Sequence, residues 1–193
     1  MELTNKRRRL YLICGKAEQG KSEVSAFIKK IYQAKGEQAV ILDHVKYLKD
    51  YVKDYFGWDG RNETKPRALM QQLGTELIRQ KLNKPYFFIN RLKEDIEILS
   101  YFFDIIIIDN IRLKIEIYSQ QASFEDTISI KVTRPNFKGK LSAKQKQHLT
   151  EIDLDDYQRF DYTIINDQTI AELKNKVMNL INEIEGSNFK KKN

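Results

Sequence analysis

The stretch Gly15-Lys16-Ala17-Glu18-Gln19-Gly20-Lys21-Ser22 constrains this chain more than any other. It fits the pattern G-x-x-x-x-G-K-[ST] without a mismatch. Glycine at each end lets the backbone turn closely around an anion, and successive N–H groups then point into one concavity. The apolar run Leu10-Tyr11-Leu12-Ile13-Cys14 before it reads as a buried strand. Residues 22–32 after it read as a helix with Val24, Phe27, Ile28 and Ile31 on one face. That helix start adds partial positive charge at the loop's end. Lys21 supplies a full charge for the β- and γ-phosphates of a triphosphate, and the Ser22 hydroxyl is a hard ligand suited to Mg²⁺. The candidate triphosphate site is therefore Gly15, Lys16, Ala17, Glu18, Gln19, Gly20, Lys21, Ser22 and Glu23, with ATP and Mg²⁺ as its expected ligands.

A chain of 193 residues suits a single domain with a sizeable core, expected over residues 1–186. One cysteine excludes an internal disulfide and points to a reducing, cytoplasmic compartment. Cys14 lies in the apolar run, where a buried inert thiol is expected. No apolar run is long enough to span a membrane, and Lys6-Arg7-Arg8-Arg9 is not followed by the apolar stretch of a secretory leader. The net charge of +7 suits small polyanionic substrates, nucleic acid, or a lysine- and isoleucine-rich coding bias. With only His44 and His148 present, a multi-histidine metal site is excluded.

Beyond the loop, strand and helix alternate. Residues 38–43, 104–109, 126–133 and 160–165 read as strands, and the four consecutive isoleucines before Asp109 mark a strand buried on both faces. Helices are expected over 45–56, 66–81, 85–102 and 169–184, with Pro66 near a helix start. The basic tail over 187–193 is expected to lack order. This alternation predicts a three-layer α/β/α fold with a five-stranded parallel sheet. Ligands of such folds sit beyond the carboxyl ends of the strands, and there the chain carries the loop, Asp43, Asp109, Arg134, Asn166 and Asp167.

Asp109 ends an apolar strand, where a carboxylate can hold Mg²⁺ or orient a phosphate acceptor. Arg112 follows at a spacing that lets its fork reach phosphate. In the helix from Pro66, Arg67, Gln71, Thr75 and Arg79 recur at i, i+4 and form one polar stripe, with Leu69, Met70, Leu73 and Leu77 facing away. The stripe could be a solvated face, or it could hold a phosphate and read a base edge. Gly74 beside it costs about 1 kcal/mol relative to alanine in mid-helix, which suggests close approach of a ligand or another chain segment.

An ordered set of segments resembles the deoxynucleoside monophosphate kinases, a branch of the P-loop nucleoside monophosphate kinases. The segments are Asp43-His44-Val45-Lys46, Phe56-Gly57-Trp58, Pro66-Arg67 with Gln71 and Leu73-Gly74-Thr75-Glu76, Asp109-Asn110-Ile111-Arg112 with Glu116, His148-Leu149-Thr150-Glu151, Phe160-Asp161-Tyr162 and Ile165-Asn166-Asp167. The resemblance implies a P-loop NTPase-type core, an acceptor-binding segment over about 44–84 and a mobile lid over about 134–148. It implies that Asp43, Lys46, Arg67, Gln71, Thr75, Arg79 and Arg112 line the acceptor site. Lys21, Asp109, Arg112 and Arg134 would be catalytic, Ser22 and Asp109 would hold metal, and Asn166 and Asp167 would lie near adenine. The implied reaction is phosphoryl transfer from ATP to a nucleoside monophosphate, in a monomer or homodimer. Glu18 departs from the family's small loop residues and is expected to face solvent. Gln168 stands where glycine is common. The lid carries Lys138, Lys140, Lys144 and Lys146 in place of arginines, giving less directional clamping. The same scaffold also serves other small-molecule kinases, of dephospho-coenzyme A or phosphomevalonate type. A basic nucleic-acid-binding protein with an incidental nucleotide site would instead show steeply salt-dependent DNA binding.

Overall fold

A computed structural model describes residues 9–139 and 141–191, with side chains described through residue 187. The lid residue Lys140 and the arm residues Lys6 to Arg8 lie outside the described residues.

The chain runs β1 (Arg9–Cys14), α1 (Lys21–Ala34), β2 (Ala39–Asp43), α2 (Lys46–Phe56), α3 (Arg67–Gln71), a π-helical stretch (Gln72–Lys81), α4 (Phe87–Leu99), β3 (Ile105–Ile111), α5 (Lys114–Ser123), β4 (Thr127–Thr133), α6 (Ala143–Lys146), α7 (Leu149–Ile152), β5 (Tyr162–Ile165) and α8 (Ile170–Lys191). The five strands form one all-parallel sheet in the order β2-β3-β1-β4-β5. Its direction of growth reverses at β1, so the loop after β1 opens at the crevice where such sheets bind ligands.

The isoleucine run explains the two cores. Ile105 and Ile107 join Tyr11, Ile13, Val24, Ile28, Val177 and Ile181 on the face covered by α1 and α8. Ile106 and Ile108 point to the other face, with Leu10, Leu12, Leu92, Ile96 and Ile117 from β1, α4 and α5. Period-2 alternation through an all-apolar strand thus feeds both layers. Cys14 is buried in the second core, where burial pushes its thiol up, as expected for an inert cysteine.

A third, smaller core of Leu48, Val52, Trp58, Met70 and Phe88 packs α2, α3 and α4 together. The Trp58 indole N–H donates to the Arg61 carbonyl, so this ring packs beneath the lobe.

Several boundaries shift from the expected ones. The helix expected over 66–81 is continuous, but it winds as a π-helix from Gln72. Two short helices that periodicity does not reveal, α6 within the segment expected as a lid and α7 directly after it, lie between β4 and β5. Helix α8 continues to Lys191, through most of the segment expected to lack order, whereas residues 192 and 193 lie outside the described residues. Among the described residues, no helix is long and apolar enough to cross a membrane.

Candidate active site

The loop after β1 takes the conformation its glycines permit. Gly15 has φ of 141°, and a Cβ there would sit 2.5 Å from the Val132 carbonyl oxygen. Gly20 enters α1 at φ of 96°, with the Asn166 side chain where a Cβ would be. Lys21 is buried and its Nζ donates to the Lys16 carbonyl (2.6 Å), so the ammonium curls across the loop mouth. Burial, with Arg112 close by, pulls this lysine down to about 7. A bound polyanion would relieve both effects. The Ser22 hydroxyl donates to Asp109 Oδ2 at 2.7 Å, which puts two hard oxygen donors side by side at the floor of the loop.

Next to this floor lies a cleft lined by residues of α2, α3, the π-helix, the end of β3, α5 and the segment around α7. Arg67, Gln71, Thr75 and Arg79 all reach it. The stripe stays on one side because the wider π turn offsets the rotation that i, i+4 spacing accumulates on an α-helix. Gly74 lies at the contact between this helix and Leu48, whose Cδ2 would be 2.9 Å from an added Cβ.

Each cleft arginine has a carboxylate partner. Arg67 Nη2 donates to Glu18 Oε1 at 2.9 Å. The expectation that Glu18 faces solvent is therefore corrected: Arg67 at the start of α3 supplies the cation that draws it inward. Arg79 Nη2 donates to Glu116 Oε1 (3.0 Å), and His44 Nε2 lies 3.0 Å from the same oxygen. The N–H groups of Arg112 and Leu113 donate to Glu116 Oε2. Burial alone would raise Glu116, but His44, Arg79 and the Arg112 N–H hold it down to about 2. Arg112 Nη1 donates to Glu151 Oε1, while Glu151 Oε2 accepts the Ala17 N–H of the phosphate loop at 2.9 Å.

The remaining sequence candidates fall in different places. Asp43 is the register partner of Asp109 at the sheet's carboxyl end. It is engaged by Lys49, the Asn110 amide and the Val45 N–H. Burial opposes its ionisation, but these partners bring its carboxyl net below the usual range. Lys46 is corrected: it pairs with Asp50 on an exposed face of α2 and is absent from the cleft lining. Lys65 lines the cleft instead. Arg134 lies exposed at the end of β4 with its guanidinium 4.3 Å from the Phe137 ring centre, and its N–H donates to Gln19 Oε1. It borders a second hollow with Gly15, Lys16 and Gln19, apart from the arginine-lined cleft. Lys16 and Glu23 do not close on the loop interior: Lys16 pairs with Asp155 at 2.7 Å, and Glu23 is exposed in the first turn of α1. Asn166 Nδ2 donates to the Gln19 carbonyl (3.1 Å) and ties β5 to the loop, whereas Asp167 pairs outward with Lys176.

Lys65, Glu116 and Glu151 are the site residues to which sequence reasoning gave no role. Glu116 and Glu151 stand inside the motif segments, so a search for acids three or four residues from a site arginine would have found Glu116. Nothing local marks Glu151, whose partners are 134 and 39 residues away.

A glycine-bounded anion loop, a hydroxyl–carboxylate pair at its floor and an arginine-lined cleft beside it, on this sheet order, define a P-loop phosphotransferase. Solved structures of that class share the fold. The APS kinase CysC of Mycobacterium tuberculosis, solved with AMPPNP and APS, matches with a TM-score of 0.55 and 16% identity, covering 92% of this chain and 99% of that one. A sugar kinase from Janibacter sp. matches at 0.53 and 11% identity, covering 91% and 95%. Dephospho-CoA kinase from Campylobacter jejuni matches at 0.50 and 15% identity, covering 92% and 98%. No curated protein matches the sequence. The family model for deoxynucleotide monophosphate kinase matches residues 10–177, nearly the whole chain, and the protein belongs to that family.

Proposed function

We propose that the protein transfers the γ-phosphoryl group of ATP to a deoxynucleoside monophosphate, releasing ADP and the deoxynucleoside diphosphate. The observation that carries this reading is the shared wall between the two anion sites. Glu18 of the phosphate loop pairs with Arg67 of the cleft, and Arg112 of the cleft pairs with Glu151, which the loop's Ala17 N–H holds. A donor in the loop and an acceptor in the cleft would therefore meet across Arg112 and Asp109.

The acceptor's phosphate oxygen is already anionic, so no strong base is required. It attacks the γ-phosphorus, the bond to the β-bridging oxygen breaks in line, and ADP leaves with that oxygen. The residues align two polyanions and stabilise the charge that spreads between them. Lys21 faces the donor phosphates, and Arg112 presents its remaining N–H groups to the transferring group. Ser22 and Asp109 fit a hard cation, since their oxygens adjoin at the loop floor and Asp109 is only 6% exposed. Mg²⁺ held there would neutralise phosphate charge. Arg67, Gln71, Thr75 and Arg79 bind and orient the acceptor. The lid and Glu151 exclude water, which would otherwise hydrolyse ATP.

The test is ADP release from ATP with each nucleoside monophosphate in both sugar forms. Turnover should depend on a deoxynucleoside monophosphate, and Lys21→Ala should abolish it with the fold retained. Vigorous ATP hydrolysis without acceptor, or no ADP release with any monophosphate, would overturn the reading.

A further inference from the structure

We propose that Lys65 binds the acceptor's phosphate group directly and supplies the one charge that, among the described residues lining the cleft, is left uncompensated. The inference rests on the kinase reading above and identifies which side chain does this work. Four cations line the cleft: Lys65, Arg67, Arg79 and Arg112. Three are paired internally, Arg67 with Glu18, Arg79 with Glu116 and Arg112 with Glu151. Among the described residues, Lys65 has no carboxylate partner. The nearby Lys49 is paired with Asp43, and Lys46 is turned away on Asp50. A phosphate entering the cleft thus meets three arginines whose charge is already balanced and one ammonium whose charge is not.

The surroundings of Lys65 make the same point. Burial, then the like charges of Lys49, Arg112 and Arg67, pull it down to about 8, and Asp43 opposes this only in part. An ammonium held half out of water among cations is unfavourable by itself. A phosphate dianion in the cleft removes that penalty, so these surroundings favour an anion beside Lys65.

Two consequences separate this from a general electrostatic effect. Acceptor binding should draw a proton onto Lys65, so acceptor affinity should fall as pH rises through about 8. Arginine at the same position keeps the charge at any such pH and should remove that fall. Lys21 also sits below the usual lysine range, but it faces the phosphate loop and is common to wild type and variants, so it cancels when they are compared.

The experiment compares wild type, Lys65→Met and Lys65→Arg by steady-state kinetics and by calorimetry, with deoxynucleoside monophosphate and with inorganic phosphate as titrants. Lys65→Met should raise the acceptor KM and Kd by about tenfold or more, the scale of a lost charge-assisted contact, and leave the KM for ATP nearly unchanged. Lys65→Arg should restore most of the affinity at neutral pH and flatten the alkaline loss. The inference is overturned if Lys65→Met keeps wild-type acceptor affinity, if it weakens ATP and acceptor alike, or if Lys65→Arg keeps the wild-type pH profile. A wild type that releases ADP with no monophosphate would sink the kinase reading instead. In that case the inorganic phosphate titration still decides Lys65, because equal affinity in wild type and Lys65→Met rules it out.

Discussion

Glu151 puts a negative charge, 6% exposed, between a phosphate loop and an arginine that both need anions. That arrangement would repel substrate were the carboxylate not bonded on both sides, to the Ala17 N–H and to Arg112. Its effect is to aim the guanidinium: one nitrogen is fixed, and the others are left for phosphate. Glu151→Gln keeps an acceptor for the Ala17 N–H but removes the counter-charge from Arg112. We expect kcat to fall by about tenfold or more through misaligned transition-state charge, while the KM for ATP stays level or drops because a nearby negative charge is gone. Steady-state kinetics with ATP and acceptor varied separately read this directly. The loop, Asp109, Arg112 and the Arg67-to-Arg79 stripe were legible in the sequence, because each is set by a local pattern of spacing. The directions of Glu18 and Lys46 were not. Both depend on partners supplied by folding, Arg67 from a distant helix for Glu18 and Asp50 one helical turn on for Lys46.

The helix from Arg67 to Lys81 shows the same division at the level of elements. Its span follows from Pro66 and the apolar positions, and the structure agrees. Its π winding has no local sequence mark, since it arises where the helix must bring Arg67, Gln71, Thr75 and Arg79 to one cleft while Gly74 meets Leu48. The cost of a mid-helix glycine is thereby explained by a neighbouring helix. Gly74→Ala would recover about 1 kcal/mol of helix propensity. It would also drive Leu48 from a packed position 5% exposed, at about 1–3 kcal/mol. We expect a slightly lower Tm and an acceptor KM raised severalfold, since Leu48 lines the cleft, with the KM for ATP unaffected. Equal changes in both KM values would refute a role confined to the cleft. Helices α6 and α7 escaped sequence reading because each is only four residues long, too short for periodicity to register. The capping box of Ser142 with Gln145 was the available signal.

At the scale of the molecule, Glu116 joins three stretches of the chain at one buried carboxylate. It caps the start of α5, accepts Arg79 from the π-helical stretch and touches His44 beyond β2. The sheet and its switch point were legible because strand and helix alternate along the chain, but this buried hub joins segments that lie far apart in sequence. Its carboxyl is held at about 2, below the 4.5 usual for an exposed glutamate. A depressed folded-state value means that the stabilisation is present above about 4.5 and is lost as pH falls towards 2. The linked free energy is on the order of 3 kcal/mol. Acidification from neutral pH should therefore lower the Tm over that window by more in wild type than in Glu116→Gln. At neutral pH the variant should already be less stable, because Arg79 is left buried without its counter-charge. Thermal melts of both proteins between neutral pH and pH 2 test this. Parallel curves for wild type and variant would show that the hub contributes nothing to the acid dependence, and would place that dependence on the other carboxylates.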